Sequence, residues 1–286
     1  MRSLPFILAV LGHAACGTPQ STETPGPAVA PGPVITPVPT VVPASEAKWG
    51  QLNPARGADS PKAATLWGDR SGRGPTGFLF HPVDGFSSPP HIHNVSYRGI
   101  VIHGLVHNDD PDAAEMWMPA GSFWTQPKGA AHITSARGND VLAYIEIDSG
   151  PYLVRSVEQA FSSDERPINV DASNIVWVRL RDSDPDVRAA HLWGDADGGR
   201  LSGTLLKVPR SFEGTLLGRG PEFRAIVIAG RPKLNVESSA GLEPLEPGSY
   251  FASSEPSAHK LSCADDADCV IYIRTAGRFE LTRSSD

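Results

Sequence analysis

Three histidines stand at spacings that could hold a metal ion. His91 and His93 are two residues apart and follow a Pro-Pro pair, and His132 ends the turn sequence PKGAAH. Residues two apart on a strand point to the same face, so His91 and His93 would project into one space. Neutral imidazoles from two strands make a facial ligand set that leaves positions open for water or substrate. Zinc, iron(II), copper, nickel and manganese suit such nitrogen ligands, whereas magnesium and calcium prefer oxygen.

The alternative for these histidines is that they are buried, hydrogen-bonded side chains without a metal. A single histidine favours that interpretation, but three at this spacing favour a metal site, although short motifs always produce false matches. We therefore expect one divalent transition metal, of open identity, on His91, His93 and His132.

The chain carries an internal repeat. The stretch from Ala63 to Ile147 returns between Ala189 and Thr275. A duplicated unit of this length indicates two copies of a small domain rather than a solenoid. The matching segments are AATLWGDRSG and AAHLWGDADG, GIVIHG and AIVIAG, PAGSFW and EPGSYF, and VLAYIEI and CVIYIRT.

The two copies differ at the positions that could do chemistry. The second copy keeps His259 as its one equivalent of the histidine set. One histidine cannot hold a metal tightly, so the second site is predicted to be degenerate. Trp67 and Trp193, which repeat, are expected to be structural, since buried tryptophan is common core material. The positions equivalent to His91, His93 and Tyr97 are Leu217, Arg219 and Phe223.

The pattern of apolar residues predicts an all-β fold. The 28 glycines and 27 prolines indicate many turns. Between the turns lie short runs rich in Val, Ile and Tyr, such as Gly99–Gly104 and Val141–Ile147, without sustained helical periodicity. Two closed or sandwiched antiparallel units in tandem would accommodate these strands.

At this point the sequence resembles the cupin superfamily. Its second motif, P-x-G-x2-H, is matched in full by Pro127, Gly129 and His132. Its first motif, G-x5-H-x-H-x3,4-E-x6-G, is matched in part, because Tyr97 stands where the glutamate is expected. Through the repeat, the resemblance covers positions 55–150 and 180–282. The chain looks like a bicupin, similar to uncharacterised bacterial two-cupin families related to anti-sigma cupin-like domains.

The resemblance implies two double-stranded β-helix (jelly-roll) barrels and a divalent metal on His91, His93 and His132. Some cupin dioxygenases, such as the cysteine and acetylacetone types, bind iron through three histidines. Tyr97 could be a distant ligand, a hydrogen-bond donor to substrate or packing, and we favour the second role, as a catalytic residue. His81, at the pocket mouth, and His103, which shares strand parity with Tyr97, are candidate substrate-binding residues.

The N-terminus resembles an export signal. Arg2 supplies a positive end, Leu4–Leu11 an apolar core too short to span a membrane, and Cys16 stands where a lipoprotein cysteine would be. Ordinary signal cleavage without lipid is the alternative. We expect a signal peptide over 1–16, an exported protein in the periplasm or cell envelope, and a membrane tether through lipidated Cys16.

The rest of the chain divides into three predicted parts. A Pro-rich, disordered linker is expected over 17–50, the metal-binding N-terminal cupin over 51–160 and the C-terminal cupin over 161–286. An exported location permits a disulfide, and the spacing of Cys263 and Cys269 suits a staple across a hairpin loop, with a zinc site as the weaker interpretation.

Composition limits the classes of function. The net charge of −7 and the absence of a basic cluster argue against a nucleic-acid partner. The sequence lacks G-x-S-x-G, a Gly-rich phosphate loop and C-x-x-C. We expect a metal-dependent oxygenase acting on a small organic molecule, with a non-catalytic binding or sensing protein as the alternative. A homodimer is left open.

Overall fold

Strands and short 3-10 turns make up all regular structure in the residues that the computed structural model describes, 40–195, 199–235, 244–254, 256–264 and 266–284. The prediction of an all-β chain is confirmed. The strands are β1 Thr40–Val42, β2 Trp49–Gln51, β3 Lys62–Trp67, β4 Thr76–His81, β5 His91–His93, β6 Tyr97–Asp109, β7 Phe123–Gln126, β8 Ile133–Ile147, β9 Val154–Ser156, β10 Ile168–Val170, β11 Val178–Arg179, β12 Arg188–Gly194, β13 Ser202–Val208, β14 Glu213–Gly218, β15 Phe223–Ala229, β16 Lys233–Asn235, β17 Tyr250–Ser253, β18 Ser257–Ser262, β19 Cys269–Thr275 and β20 Phe279–Arg283. The 3-10 turns are Ala44–Glu46, Pro54–Asp59, Val157–Gln159 and Ala172–Asn174.

Two seven-stranded antiparallel sheets form the centre of the molecule. The N-terminal sheet has the order β10-β7-β6-β8-β4-β3-β2, and the C-terminal sheet has the order β1-β17-β15-β19-β13-β12-β11. Equivalent strands of the two copies occupy equivalent places. The predicted closure into barrels is not what the structure has, because within the described residues each sheet starts and ends at a short edge strand.

A second layer of strands accompanies each large sheet. In the second copy it is the sheet β16-β18-β14-β20, and in the first copy the pair β5-β9 lies beside the far ends of β6 and β8. Register shifts around His103, and a positive φ of 72° at Gly104, interrupt β6 before its last residues continue along β8. Such bulges bend a strand. The bend brings the start of β8 beside β5, where His91 bridges to His132.

The flanking strands are exchanged between the copies. Although β1 precedes the first copy, it pairs with β17 of the second, and β10 precedes the second copy but pairs with β7 of the first. A boundary at residue 160 therefore does not separate the two large sheets. Residues 40–50 of the predicted linker contain β1, a 3-10 turn and the start of β2, so disorder does not apply there. The predicted signal peptide, Cys16 and residues 17–39 lie outside the described residues.

The large sheets pack against each other through an apolar cluster with members from both copies. Trp67 Nε1 donates to Tyr144 Oη at 3.0 Å, and Trp193 Nε1 donates to Tyr272 Oη at 2.9 Å. The repeated tryptophans thus make the same hydrogen bond in each copy. Each copy also has an apolar core of its own.

The predicted disulfide is present in the second copy. Cys263 and Cys269 are bonded across the connection from β18 to β19, with their Cα atoms 6.0 Å apart. No helix formed by the described residues is both long enough and apolar enough to cross a membrane.

Candidate metal centre

Backbone pairing brings the three histidines together. His91 and His132 exchange N–H···O hydrogen bonds of 3.0 Å each, and β5 pairs on its other side with β9. His91 and His93 point to one side of β5, with Ile92 between them. The turn before His132 needs Gly129, whose φ is 75°, a region that glycine tolerates best. The N–H of Gly129 donates to the carbonyl of His93 at 2.8 Å, which ties the turn to β5.

The ligand nitrogens of the three histidines converge. One nitrogen from each lies within 4.8 Å of those of the other two. The Nε2 atoms of His91 and His93 are 3.2 Å apart. The exposed fractions of His91, His93 and His132 are 9%, 2% and 0%. The structure therefore assembles the set that the sequence predicted, in a largely dry setting.

The other ring nitrogen of each histidine faces a main-chain carbonyl. Nδ1 lies 2.9 Å from the oxygen of Pro89 for His91, 3.1 Å from that of Leu153 for His93, and 3.3 Å from that of Ala130 for His132. Because a carbonyl only accepts, each Nδ1 carries the hydrogen and each Nε2 presents its lone pair. This is the orientation that metal-bound histidines adopt.

Burial keeps these imidazoles neutral. Desolvation lowers the pKa of His91, and it lowers that of His93 further, with the charges of the neighbouring histidines acting in the same direction. Desolvation and His91 lower the pKa of His132 to about 3. Near neutral pH three lone pairs therefore face one another and repel. A divalent transition-metal ion fits this donor set, whereas magnesium or calcium would lack oxygen ligands.

Two tyrosines flank the histidines. Tyr97, on β6, donates its hydroxyl hydrogen to Asn108 Oδ1 at 2.8 Å, and its oxygen lies 3.4 Å from His132 Nε2. Tyr152 stacks on His93, with ring centroids 4.4 Å apart, and its hydroxyl lies 3.2 Å from His93 Nε2. Burial raises the pKa of both phenols above the ordinary value, so both are hydrogen-bond donors rather than phenolates.

Buried amides hold Tyr97 and the turn in place. Asn108 Oδ1 also accepts from Thr134 Oγ1 at 2.8 Å, and its Nδ2 donates to Gln126 Oε1 at 3.0 Å. Gln126 Nε2 in turn donates to the carbonyl of Ala130 at 3.2 Å. Since the same carbonyl faces Nδ1 of His132, this network connects Tyr97 to the third histidine.

A cavity of about 360 Å³ opens beside His91 and His93. This is at the lower end of the range for small-molecule sites. Tyr97 and Tyr152 line it together with Arg56. The remaining walls are mostly apolar: Leu52, Asn53, Pro61, Phe80, Phe86, Ser88, Pro89, Trp124, Thr134, Ile145 and Val154.

The two predicted substrate histidines lie elsewhere. His103 is exposed at the bend of β6 and does not line the cavity, because the bulge breaks the parity that was expected to turn it inward. His81 is half-buried, contacts Trp49 and donates through Nδ1 to the carbonyl of Val141 at 2.7 Å, again away from the cavity lining. The structure therefore does not support a substrate contact for His81 or His103 in this cavity.

Sequence reasoning missed Tyr152 and Arg56. Both lie outside strands, in the segment after β8 and in the 3-10 turn Pro54–Asp59. The repeat offered no signal, because neither segment is among those that match between the copies. The side chain of Asn94 fixes Tyr152 beside the histidines. Its Nδ2 donates to the carbonyl of Pro151, and its Oδ1 accepts from the N–H of Leu153, at 2.9 Å each.

The equivalent region of the second copy has no comparable group of histidines among the described residues. Phe223 is buried, Arg219 forms an ion pair with Glu280 at 3.1 Å, and Leu217 lies in β14. His259 packs against Phe223 and its Nε2 lies 3.0 Å from Ser257 Oγ. Among the described residues, the group that could hold a metal is His91, His93 and His132.

Comparisons with known proteins identify the fold. The model of a domain of unknown function (DUF4437) matches residues 40–282. The "putative dioxygenase" of Nostoc punctiforme superposes with a TM-score of 0.64 at 15% identity, covering 87% of each chain. An oxalate decarboxylase of Lactobacillus farciminis gives 0.55 at 9%, covering 85% of this chain and 87% of its own. Protein Ylba of E. coli gives 0.56 at 12%, covering 84% and 92%. These are cupin-fold proteins; none of the curated proteins matches in sequence.

Proposed function

The chain belongs to the DUF4437 family, and from that premise we propose that it is a metal-binding bicupin whose N-terminal copy is a metal-dependent oxygenase site for a small organic molecule. One observation carries the proposal. The ligand nitrogens of His91, His93 and His132 converge, each ring is held by a carbonyl behind it, and His91 and His93 line a mostly apolar cavity of about 360 Å³.

The metal's role follows from the donor set. A divalent metal on three neutral imidazoles keeps its full charge and would supply Lewis acidity and, as iron(II), electron transfer to dioxygen. The chain's own residues shape the rest of the site. The mostly apolar walls suit an organic molecule, and Tyr97 and Tyr152 present neutral hydroxyls beside the histidines. Tyr97 is proposed to orient the substrate, and Tyr152 joins it in that role.

The test is metal content followed by oxygen consumption. We expect natively purified protein, or protein reconstituted with iron(II), to hold one metal per chain and to consume dioxygen with a substrate from a panel of diketones, thiols, phenols and carboxylic acids. His132→Ala should lose the metal, and with it the stabilisation that a ligand confers by binding the native state.

His81→Ala and His103→Ala are matched controls, since both remove a histidine outside the cavity and should retain the metal. Absence of metal in the reconstituted protein would refute the proposed site. A stoichiometric metal with no oxygen consumption for any substrate would favour the binding or sensing function instead.

Export and lipid anchoring through Cys16 complete the proposal. The disulfide Cys263–Cys269 supports an oxidising compartment, because such bonds are rare in reducing ones. Mass spectrometry of the mature protein expressed in a bacterium should find residues 1–15 removed and a lipid on Cys16. A mature chain that starts at another residue and carries no lipid would instead indicate ordinary signal cleavage.

The proposed partner is a small molecule rather than a nucleic acid, and a homodimer is testable by light scattering.

A further inference from the structure

The cavity beside the histidines also carries a fixed positive charge, and we infer that its ligand is a small organic acid with an apolar body, whose carboxylate lies at Arg56. The inference rests on the proposed function, because it names the substrate class of the same cavity. It depends on separate observations, namely the charge and the apolar walls of the cavity.

Arg56 supplies the charge. Its guanidinium is the one permanently charged group among the described residues that line the cavity, and no described carboxylate lies within ion-pair distance of it. The guanidinium carbon lies 5.1 Å from the ring centroid of Phe86, so the group rests on the aromatic wall. A planar guanidinium matches a carboxylate through paired hydrogen bonds.

The backbone around Arg56 is fixed. Asn53 caps the 3-10 turn, accepting from the N–H of Ala55 at 3.2 Å, and the N–H of Arg56 donates to the carbonyl of Asn53 at 3.0 Å. Gln51 Nε2 donates to the carbonyl of Gly57 at 2.8 Å on the other side. The arginine therefore extends from an ordered turn, and a ligand would meet a positioned charge rather than a free chain end.

The opposite walls suit an apolar body. Phe80, Phe86, Trp124 and Ile145 line the cavity, and no aspartate or glutamate is among its described lining residues. Trp124 is buried and is one of these apolar wall residues. A small acid with an apolar body would therefore meet both Arg56 and the apolar walls.

The probes are straight-chain carboxylates and their primary amides. Calorimetry with zinc-loaded, redox-inert protein should show hexanoate binding about tenfold more tightly than hexanamide, because a hydrogen bond to a charged partner is stronger than one to a neutral group. From butanoate to hexanoate, affinity should rise about fourfold for each CH₂ that the walls bury. Arg56→Gln should bring the acid and the amide to equal affinity, and Arg56→Lys should keep part of the preference.

Arg155→Gln is the matched control, because Arg155 is an exposed arginine of β9 outside the cavity, and it should bind both probes as the wild type does. Equal binding of acid and amide by the wild type would overturn the inference. So would an acid preference that survives in Arg56→Gln.

Repeating the titrations on metal-stripped protein separates this inference from the proposed function. An acid preference that persists without metal and disappears in Arg56→Gln supports the inference whether or not the protein is an oxygenase. A preference seen only with zinc and unchanged in Arg56→Gln would mean that the metal holds the carboxylate, and would overturn it. Failure to bind metal would count against the proposed function alone.

Discussion

The hydrogen on each candidate ligand is fixed by a main-chain oxygen, so the metal centre depends on loops as much as on strands. The carbonyls come from Pro89, Leu153 and Ala130, none of which is in a strand. Because the carbonyls hold Nδ1–H, the Nε2 atoms are ready to bind a metal without a change of tautomer. This arrangement has an unfavourable consequence for the metal-free protein, because three nitrogen lone pairs then face and repel one another.

The roles of Tyr97 and Tyr152 can be tested separately by substitution. Tyr152→Phe removes the hydroxyl that lies 3.2 Å from His93 Nε2, and Tyr97→Phe removes the donor to Asn108. We expect both variants to keep their metal, because neither phenol is a ligand, and to lose about tenfold in kcat/KM, as expected for one hydrogen bond in a buried site. Metal content and oxygen consumption provide the measurement. Loss of metal in Tyr97→Phe would instead identify Tyr97 as a ligand.

In the second copy, His259 should make stability pH-dependent. Desolvation lowers its pKa from 6.5 to about 4, so between those values the unfolded chain binds more protons than the folded one. The stabilisation is complete above pH 6.5 and is lost as the pH falls towards 4, by up to about 3 kcal/mol.

His259→Gln is the variant that tests this effect. It cannot titrate but can still bond to Ser257, so denaturant unfolding between pH 7 and pH 4 should show a shallower acid loss than in the wild type. His103→Gln, at an exposed position, serves as the control and should keep the wild-type slope. Equal slopes for His259→Gln and the wild type would contradict the assignment.

Residue spacing predicted the ligands but not the residues that surround them. The three histidines could be predicted because strand parity and the Pro-x-Gly turn depend only on residues that are near in sequence. Tyr152 and Arg56 could not, because Asn94 and the cap at Asn53 place them through contacts in irregular segments. The expectation that His103 points inward was wrong for a related reason. A β-bulge reverses the side to which the following residues point, and the sequence pattern does not show where the bulge lies.

At the scale of elements, the turn before β8 joins the parts of the site. Gly129 donates to His93 of β5, and its carbonyl accepts from the N–H of Phe161 at 3.2 Å. A Cβ at Gly129 would lie 2.5 Å from the carbonyl oxygen of Phe161, and its φ of 75° would strain any other residue. One turn thus positions His132, supports β5 and holds the segment after β9.

Gly129→Ala should therefore weaken metal binding. We expect a loss of about 1–3 kcal/mol in the free energy of unfolding and a lower zinc affinity, measured by denaturant titration and by competition with a chelator. Gly85→Ala is the control, because Gly85 has a similar φ of 71° but open space at its Cβ. If the two variants bind zinc equally well, the contact with Phe161 has no role in positioning the site.

The strand exchange was the part of the fold that patterns could not reveal. The repeat and the strand-rich composition predicted two similar all-β copies, and the two large sheets have equivalent orders. However, β1 and β10 are three residues each, too short to carry a periodic pattern, and each pairs outside its own copy. Their partners are set by packing between the copies, which no local rule describes.

At the scale of the whole molecule, the copies are joined by charges buried between the large sheets. Glu146 of the first copy lies at the position that Arg274 occupies in the second, and the two side chains are 3.3 Å apart. Glu146 also accepts from Tyr144 at 3.1 Å and from Tyr272 at 2.8 Å. Glu146 is buried and does not line the cavity. Its neighbour Ile145 faces the cavity instead.

Removing the charge of Glu146 should therefore destabilise the molecule without changing the metal centre. We expect Glu146→Gln to lower the free energy of unfolding by about 3 kcal/mol, because Arg274 then loses its buried carboxylate partner and keeps the more exposed Asp148 and Glu222. Glu280→Gln, which removes the partner of Arg219 in a more exposed ion pair, should cost less than about 1 kcal/mol. Both variants should keep wild-type metal content and hexanoate affinity, since Ile145 and not Glu146 lines the cavity.

Urea unfolding followed by tryptophan fluorescence gives the free energy of unfolding of each variant. Equal losses in the two variants would mean that the buried pair does not hold the copies together, and loss of metal in Glu146→Gln would mean that the interface, rather than the second layer of strands, positions the histidines.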